Sequence, residues 1–276
     1  MRIAITGASG FIGGHVRKAL SKSGHEIVLV SRKPESLKPM AANETVVEID
    51  FHRSNNDWFN SLGQPDVVLH LAWSGLPNYL DTHHLEVEYP AQIKFLTQLI
   101  QNGLKKLVVT GTCYEYGLCS GAILESQMTM PTTPYGVAKD LLRKSLEELK
   151  KSREFELTWV RVFYPYGDGQ AETSLYTQLK TAAVNGKIKF DMGGGKQVLD
   201  FIAVGEVAKI LVNLSIENSK VGVLNIGSGK PKSVIEFVNE QIQKNKWLIK
   251  PKIGAIPDRE YEPHSFWADT SKLDDL

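Results

Sequence analysis

Cysteine is nearly absent from this chain: Cys113 and Cys119 are the only two in 276 residues. Two thiols make no disulfide scaffold, fit a reducing compartment, and lack the short paired spacings of a zinc site, so no metal is expected. An excess of one charge is missing too. The net charge is +1, which leaves no global electrostatic footprint for nucleic acid or a membrane surface. No apolar run approaches the ~20 residues that a membrane helix needs. Gly7, Gly10, Gly13 and Gly14 interrupt the apolar N-terminus, so it does not read as a signal peptide. Internal repeats and low-complexity linkers are also lacking. What remains, 42% hydrophobic and 23% charged, is the composition of a soluble globular protein, expected in the cytoplasm.

The apolar pattern alternates between short Val/Ile/Leu-rich runs and helical periodicity. Residues 2–6, Glu26–Val30, Thr45–Ile49, Val67–Leu71, Leu107–Thr110, Leu157–Val162 and Val223–Ile226 predict buried strands. Phe11–Ser23, Glu86–Gln101, Gly136–Lys150 and Glu206–Leu214 predict helices, the first stopped by Gly24. This alternation implies an α/β fold with a doubly wound parallel sheet of Rossmann type. The rhythm breaks after residue 163. Residues 164–199 are rich in Gly and Tyr, and the tail with Pro251, Pro257 and Pro263 reads as mostly irregular. The expected organisation is a dinucleotide-binding core, 1–163 plus 200–229, with a smaller substrate lobe, 164–199 plus 230–276.

Thr6-Gly7-Ala-Ser9-Gly10-Phe11-Ile12-Gly13 lies between the first strand and the first helix. Gly7 allows the sharp turn, Gly10 lets backbone approach a pyrophosphate, and Gly13 lets the helix pack closely on the strand. The helix N-terminus offers free N–H groups and a positive dipole end to the phosphates. Dinucleotide binding follows from this strand–loop–helix context. An acidic residue at the end of the second strand would bind the 2′-hydroxyl of NAD; here stand Ser31, Arg32 and Lys33. A planar guanidinium at Arg32, with Ser31 beside it, fits a 2′-phosphate, so NADP(H) is favoured and NAD(H) is the alternative. Asp50 and Phe51 follow the third strand, where adenine would lie. Leu71, Ala72 and Trp73 end the fourth, beside the expected pyrophosphate and ribose path. His70, in that apolar strand, reads as a hydrogen-bonded core residue rather than a base.

Tyr135-Gly-Val-Ala-Lys139 puts a phenol and an ammonium one helical turn apart on one face. A nearby cation favours phenolate and so lowers a phenol's pKa from ~10, which suits Tyr135 to proton transfer near neutral pH.

Together with Thr112-Cys-Tyr-Glu-Tyr-Gly117, Asp66-Val-Val-Leu-His-Leu-Ala72 and Asp200-Phe-Ile-Ala-Val204, these motifs resemble the extended short-chain dehydrogenase/reductase (NAD-dependent epimerase/dehydratase) family. The resemblance covers nearly the whole chain. It implies Tyr135 as general acid/base, Lys139 as the residue that lowers its pKa and binds the nicotinamide ribose, and Thr112 as the holder of the substrate oxygen. It also implies Phe163 near the nicotinamide. Sugar dehydratases of the group carry Asp-Glu directly after the Thr; here Cys113 and Tyr114 argue against dehydration. Arg161–Gln170 and Arg259–Trp267 look similar to bacterial 4-keto-6-deoxyhexose reductases. The implied reaction is therefore NADPH-dependent reduction of the 4-keto group of a nucleotide-linked 6-deoxyhexose, in surface-polysaccharide (lipopolysaccharide) precursor synthesis. The alternatives are a 4-epimerase with tightly bound NAD, and a nucleotide-binding sensor without turnover. Many relatives place Asn where Tyr164 stands and Arg where Leu199 stands, so Tyr164, Lys196 and Arg259 become the candidate substrate-binding residues. A homodimer is the family default.

Overall fold

The computed structural model describes residues 1–38, 40–53, 57–217, 220–257 and 261–276. Its central sheet has seven strands: β1 (Arg2–Thr6), β2 (Glu26–Ser31), β3 (Glu44–Glu48), β4 (Val67–His70), β5 (Lys106–Thr112), β6 (Glu156–Val162) and β7 (Gly222–Ile226). Their spatial order is β7-β6-β5-β4-β1-β2-β3, and every neighbouring pair is parallel. The chain winds outward from β1 to β3, then crosses back to β4 and winds the other way. The seam between β1 and β4 is thus a topological switch point, where α/β sheets open a crevice at the carboxyl ends of the strands.

Successive side chains on a strand point to opposite faces, and both faces here are covered. Ile3, Ile5, Leu29, Val108 and Val160 pack with Val16 and Leu20 of the helix Phe11–Leu20 and with Leu211 of Val204–Ile216. Ala4, Val28, Val68, Leu107 and Trp159 pack on the other side. There they meet Phe95 and Leu99 of the helix Tyr89–Gln101, and Leu142 and Leu146 of Pro134–Leu149. Two-sided burial explains why the strands read as continuous apolar runs. The doubly wound α/β fold is as expected.

A second set of elements sits beyond this sheet. Lys232–Ser233, Val198–Leu199, Ser265–Ala268 and Gly121–Ile123 form a four-stranded sheet in that order. Leu179, Phe190, Met192, Val238 and Ile249 form a separate small core. Asp200, fully buried, staples the segments together: its carboxylate accepts from the amides of Ser228, Gly229 and Ala268. A Cβ on Gly227 would come within 2.3 Å of that carboxylate. The tail departs from its irregular reading, because Val234–Asn245 is a helix opened by a Ser233–Glu236 capping box. Ser at the cap and Glu three residues on satisfy each other's backbone amides, a signal that is local in sequence. Among the described residues, no helix is long and apolar enough to cross a membrane.

Candidate active site

The turn after β1 is shaped by contacts that only glycine permits. Gly7 has φ +70°, and a Cβ there would stand 2.8 Å from the Ala72 nitrogen; one on Gly13 would stand 2.0 Å from the Gly7 carbonyl oxygen. The loop therefore lies directly against the end of β4, and the helix Phe11–Leu20 starts against the loop. Thr6 locks the same junction. Its hydroxyl accepts from the amides of Leu71 and Ala72 at 3.1 Å each and meets His70 Nδ1 at 3.0 Å. With two donors already on the oxygen, the hydroxyl proton goes to Nδ1, which assigns His70 the Nε2–H tautomer. Burial, helped by the Lys139 charge, pulls the His70 pKa down to about 3. His70 is a neutral core residue, as expected, not a base.

Thr112 ends β5 and caps the tight turn Cys113–Tyr116. Its hydroxyl accepts the Tyr114 amide at 3.3 Å, and its own amide donates to Glu115 Oε1 at 2.9 Å. Glu115 is fully buried; Arg161 Nε donates to it at 2.8 Å and Trp159 Nε1 at 2.9 Å. The helix Pro134–Leu149 begins at Thr133, whose hydroxyl accepts the Gly136 amide. A Cβ on Gly136 would come within 2.6 Å of the Tyr114 carbonyl oxygen. Glycine after Tyr135 thus lets the helix start pressed against the Thr112 turn, which brings Tyr135 and Thr112 together.

Burial pushes the Tyr135 phenol above its ordinary value, with Tyr79 adding to the rise and a hydrogen bond with the Thr112 side chain pulling it back. This departs from the expectation of a phenol lowered by Lys139. Lys139 Nζ donates to the Thr110 carbonyl at 2.9 Å and lies 4.1 Å over the Trp73 ring. Its own pKa is pulled down to about 7 by burial, against the charges of Glu115 and Glu88.

A cleft of about 700 Å³ opens above these residues. Gly7, Ser9, Gly10, Phe11, Ile12, Gly13, Leu71, Trp73, Thr112, Tyr135, Lys139 and Tyr164 all line it. Other candidates stand elsewhere. Ala72 contributes backbone to the loop junction; Phe163 is fully buried and stacks on Phe266 at 5.0 Å. Phe51 packs on Phe95 at 4.2 Å. Lys196 is exposed and is not among the residues that line the cleft. Arg259 lies outside the described residues. Sequence reasoning passed over Tyr79 and Glu262 and read Tyr114 only as a departure from the dehydratase pattern; all three are in the cleft wall. No local pattern marks Tyr79 or Glu262. Glu115 did leave one, the Thr-x-x-Glu spacing of a capping box.

The basic turn after β2 is the feature behind the NADP(H) expectation. Arg32 is exposed, and its charge helps hold Asp50, at the end of the adjacent strand, below the ordinary carboxylate range. Burial of Asp50 works the other way, but hydrogen bonds from His52 outweigh it. Ser31 Oγ accepts the Lys33 amide at 3.0 Å.

Known proteins similar to the chain correct that expectation. Residues 3–227 match the model of the NAD dependent epimerase/dehydratase family. The chain is 30% identical over 269 residues to dTDP-6-deoxy-L-talose 4-dehydrogenase (NAD(+)) of Aggregatibacter actinomycetemcomitans, covering 97% of this chain and 99% of that one. It superposes on MoeE5, solved with UDP-glucuronic acid and NAD, with a TM-score of 0.84 and 27% identity over 100% of this chain and 92% of that one. The fold also matches the UDP-N-acetylglucosamine 4-epimerase of Methanobrevibacter ruminantium M1, with a TM-score of 0.87 and 24% identity over 99% and 90% of the two chains. A relative named for NAD(+) and a neighbour solved with NAD overturn the NADP(H) expectation. The chain belongs to the NAD dependent epimerase/dehydratase family.

Proposed function

We propose that this protein is an NAD(H)-dependent oxidoreductase acting at C4 of a nucleotide-linked 6-deoxyhexose, reducing a 4-keto group to the alcohol. The observation that carries this reading is that the glycine loop, Thr112, Tyr135 and Lys139 line one cleft. A Cβ on Gly7 would strike the end of β4 and one on Gly13 the loop itself, so the helix starts tight against the strand, the setting in which Gly10 lets backbone approach a dinucleotide pyrophosphate. When bound, NADH supplies hydride from its nicotinamide. Tyr135 donates its proton to the ketone oxygen as that oxygen gains charge, and a phenol held above its ordinary pKa stays protonated for the task. Thr112 holds the same oxygen. Lys139, anchored between the Thr110 carbonyl and the Trp73 face, orients the ribose. The segments 164–199 and 230–276 would house the sugar nucleotide, with Tyr164 in the wall.

The 30% identical relative, named for 4-dehydrogenation of a dTDP-linked 6-deoxy sugar, supports the position and substrate class. A nucleotide-sugar 4-epimerase is the second reading. The change from NADP(H) to NAD favours it, since hydride returned to the same sugar needs no exchangeable NADPH. Steady-state kinetics over a nucleotide-sugar panel with NADH and NADPH test the proposal: turnover should consume NADH in preference to NADPH. Turnover without added cofactor, with NAD released on denaturation, would establish the epimerase instead.

A further inference from the structure

His84 is fully buried and is not among the residues that line the cleft, yet it touches two that are. The Trp73 indole Nε1 donates to its Nδ1 at 3.1 Å, and its ring packs edge-on against Tyr135 with centroids 5.2 Å apart. An indole N–H only donates and a carbonyl only accepts, so the Nε2 that meets the Asn78 carbonyl at 3.0 Å carries the proton. Both ring nitrogens are therefore committed, which gives the imidazole one tautomer and one orientation. Burial favours its neutral form and holds its pKa below the ordinary value, against the Asn78 hydrogen bond. The local backbone serves this placement. His84–Glu88 is a single wide π turn in which the Tyr89 amide donates to the His84 carbonyl, and such turns recur at functional sites. Gly75 has φ +82°, and a Cβ there would come within 3.0 Å of His84 Cε1. Glycine thus lets the loop after β4 close over the imidazole.

We infer that His84 is a positioning residue: by accepting the Trp73 N–H it fixes the indole against the Lys139 ammonium, and so sets where that ammonium meets the nicotinamide ribose. This role presupposes the NAD(H)-dependent reaction proposed above. Lys139 Nζ has two neighbours of different kinds, the Thr110 carbonyl at 2.9 Å and the Trp73 face at 4.1 Å. The carbonyl belongs to β5 and is held by the sheet. The indole stands on the loop after β4 and can turn about its own side-chain bonds. Its hydrogen bond to His84 stops that rotation. The bond also acts electronically, because an acceptor on the N–H leaves more electron density on the ring and deepens the negative face that attracts a cation. Removing the acceptor leaves the indole N–H unpaired and the ammonium less firmly seated. Because His84 does not line the cleft, its effect on the reaction passes through Trp73.

Two variants of similar shape separate the acceptor from the rest of the ring. Asparagine places a carbonyl oxygen near the position of Nδ1, whereas glutamine places its amide near that of Nε2. His84→Asn should keep the Trp73 bond and hold kcat, and NADH affinity by fluorescence titration, within about threefold of wild type. His84→Gln should keep the Asn78 bond and lose the Trp73 acceptor. It should lower kcat and NADH affinity by about tenfold each, with the KM for the nucleotide sugar little changed. In a Trp73→Phe background, which has no N–H, the same glutamine substitution should change neither quantity by more than about twofold. Equal losses from asparagine and glutamine, or a glutamine loss undiminished in the Trp73→Phe background, would make His84 a packing residue and overturn the inference. If wild type binds NADH but turns over no nucleotide sugar, the C4 reaction falls alone and NADH affinity still decides the role of His84. A wild type that binds no NADH overturns both.

Discussion

The Lys139 ammonium lies 4.1 Å over the Trp73 ring while donating to the Thr110 carbonyl. Strand ends β4 and β5 and the helix Pro134–Leu149 are therefore tied at one cation, beneath the cleft. The arrangement has a cost. Burial pulls the Lys139 pKa from 10.5 to about 7, so the unfolded chain binds more protons than the folded one between those values. Stability from this site consequently rises with pH from about 7 towards 10.5. Denaturant unfolding of wild type and Lys139→Met across pH 7 to 9.5 should show wild type gaining on the variant, by at most about 1.4 kcal/mol per pH unit. A constant difference between the two would place the Lys139 pKa outside that window.

Tyr135→Phe removes one oxygen and keeps the ring against Tyr79 and His84. Turnover should fall by about 100- to 10,000-fold, the usual worth of a general acid. NADH affinity, read by fluorescence titration, should stay within a few-fold. Undiminished turnover would remove Tyr135 from the mechanism.

Glu115 has no place in the cleft wall, yet it holds the Thr112 amide and the Arg161 guanidinium. Glu115→Ala leaves the buried Arg161 guanidinium without its carboxylate and should destabilise the fold by about 3–5 kcal/mol. Glu115→Gln keeps the shape and should fold. Its kcat should drop roughly tenfold with KM little changed, because Thr112 is displaced from an oxygen it holds most tightly in the transition state. A variant with wild-type kcat would show that Thr112 needs no such support.

Glu88 organises the loop that follows Trp73. It accepts from the Ser74 amide at 3.1 Å, the Ser74 hydroxyl and Gln92 Nε2 at 2.9 Å, and it meets His52 Nε2 at 3.0 Å. Burial opposes its charge, but those hydrogen bonds win and hold the carboxyl at about 2. Its contribution is therefore complete above the ordinary value near 4.5 and is lost as pH falls towards 2. Glu88→Gln should be less stable at pH 7 by about 1–3 kcal/mol and should lose less on acidification. Parallel acid titrations of the two proteins by circular dichroism would expose an error in the sign.

The seven strands, the glycine turn at residues 7–13 and the Tyr135–Lys139 helix were legible in the chain because each rests on neighbours in sequence. Buried parallel strands announce themselves as apolar runs, and the β1–helix turn by its glycines. The Ser233–Glu236 and Thr112–Glu115 capping boxes were equally local and could have been read. Charge pairing between separate strands was not local. Lys139 looked like a partner for Tyr135 until β4 and β5 brought Trp73 and Thr110 to it. Glu262 reaches Tyr114 only because Ser265–Ala268 pairs with Gly121–Ile123, carrying the tail over the cleft. The sequence by itself determined the family, the sheet and the candidate proton donor, since short-range patterning dictates them. Which charges and rings meet in the cleft was decided by tertiary structure, because electrostatic energy depends on distances that only the folded chain sets.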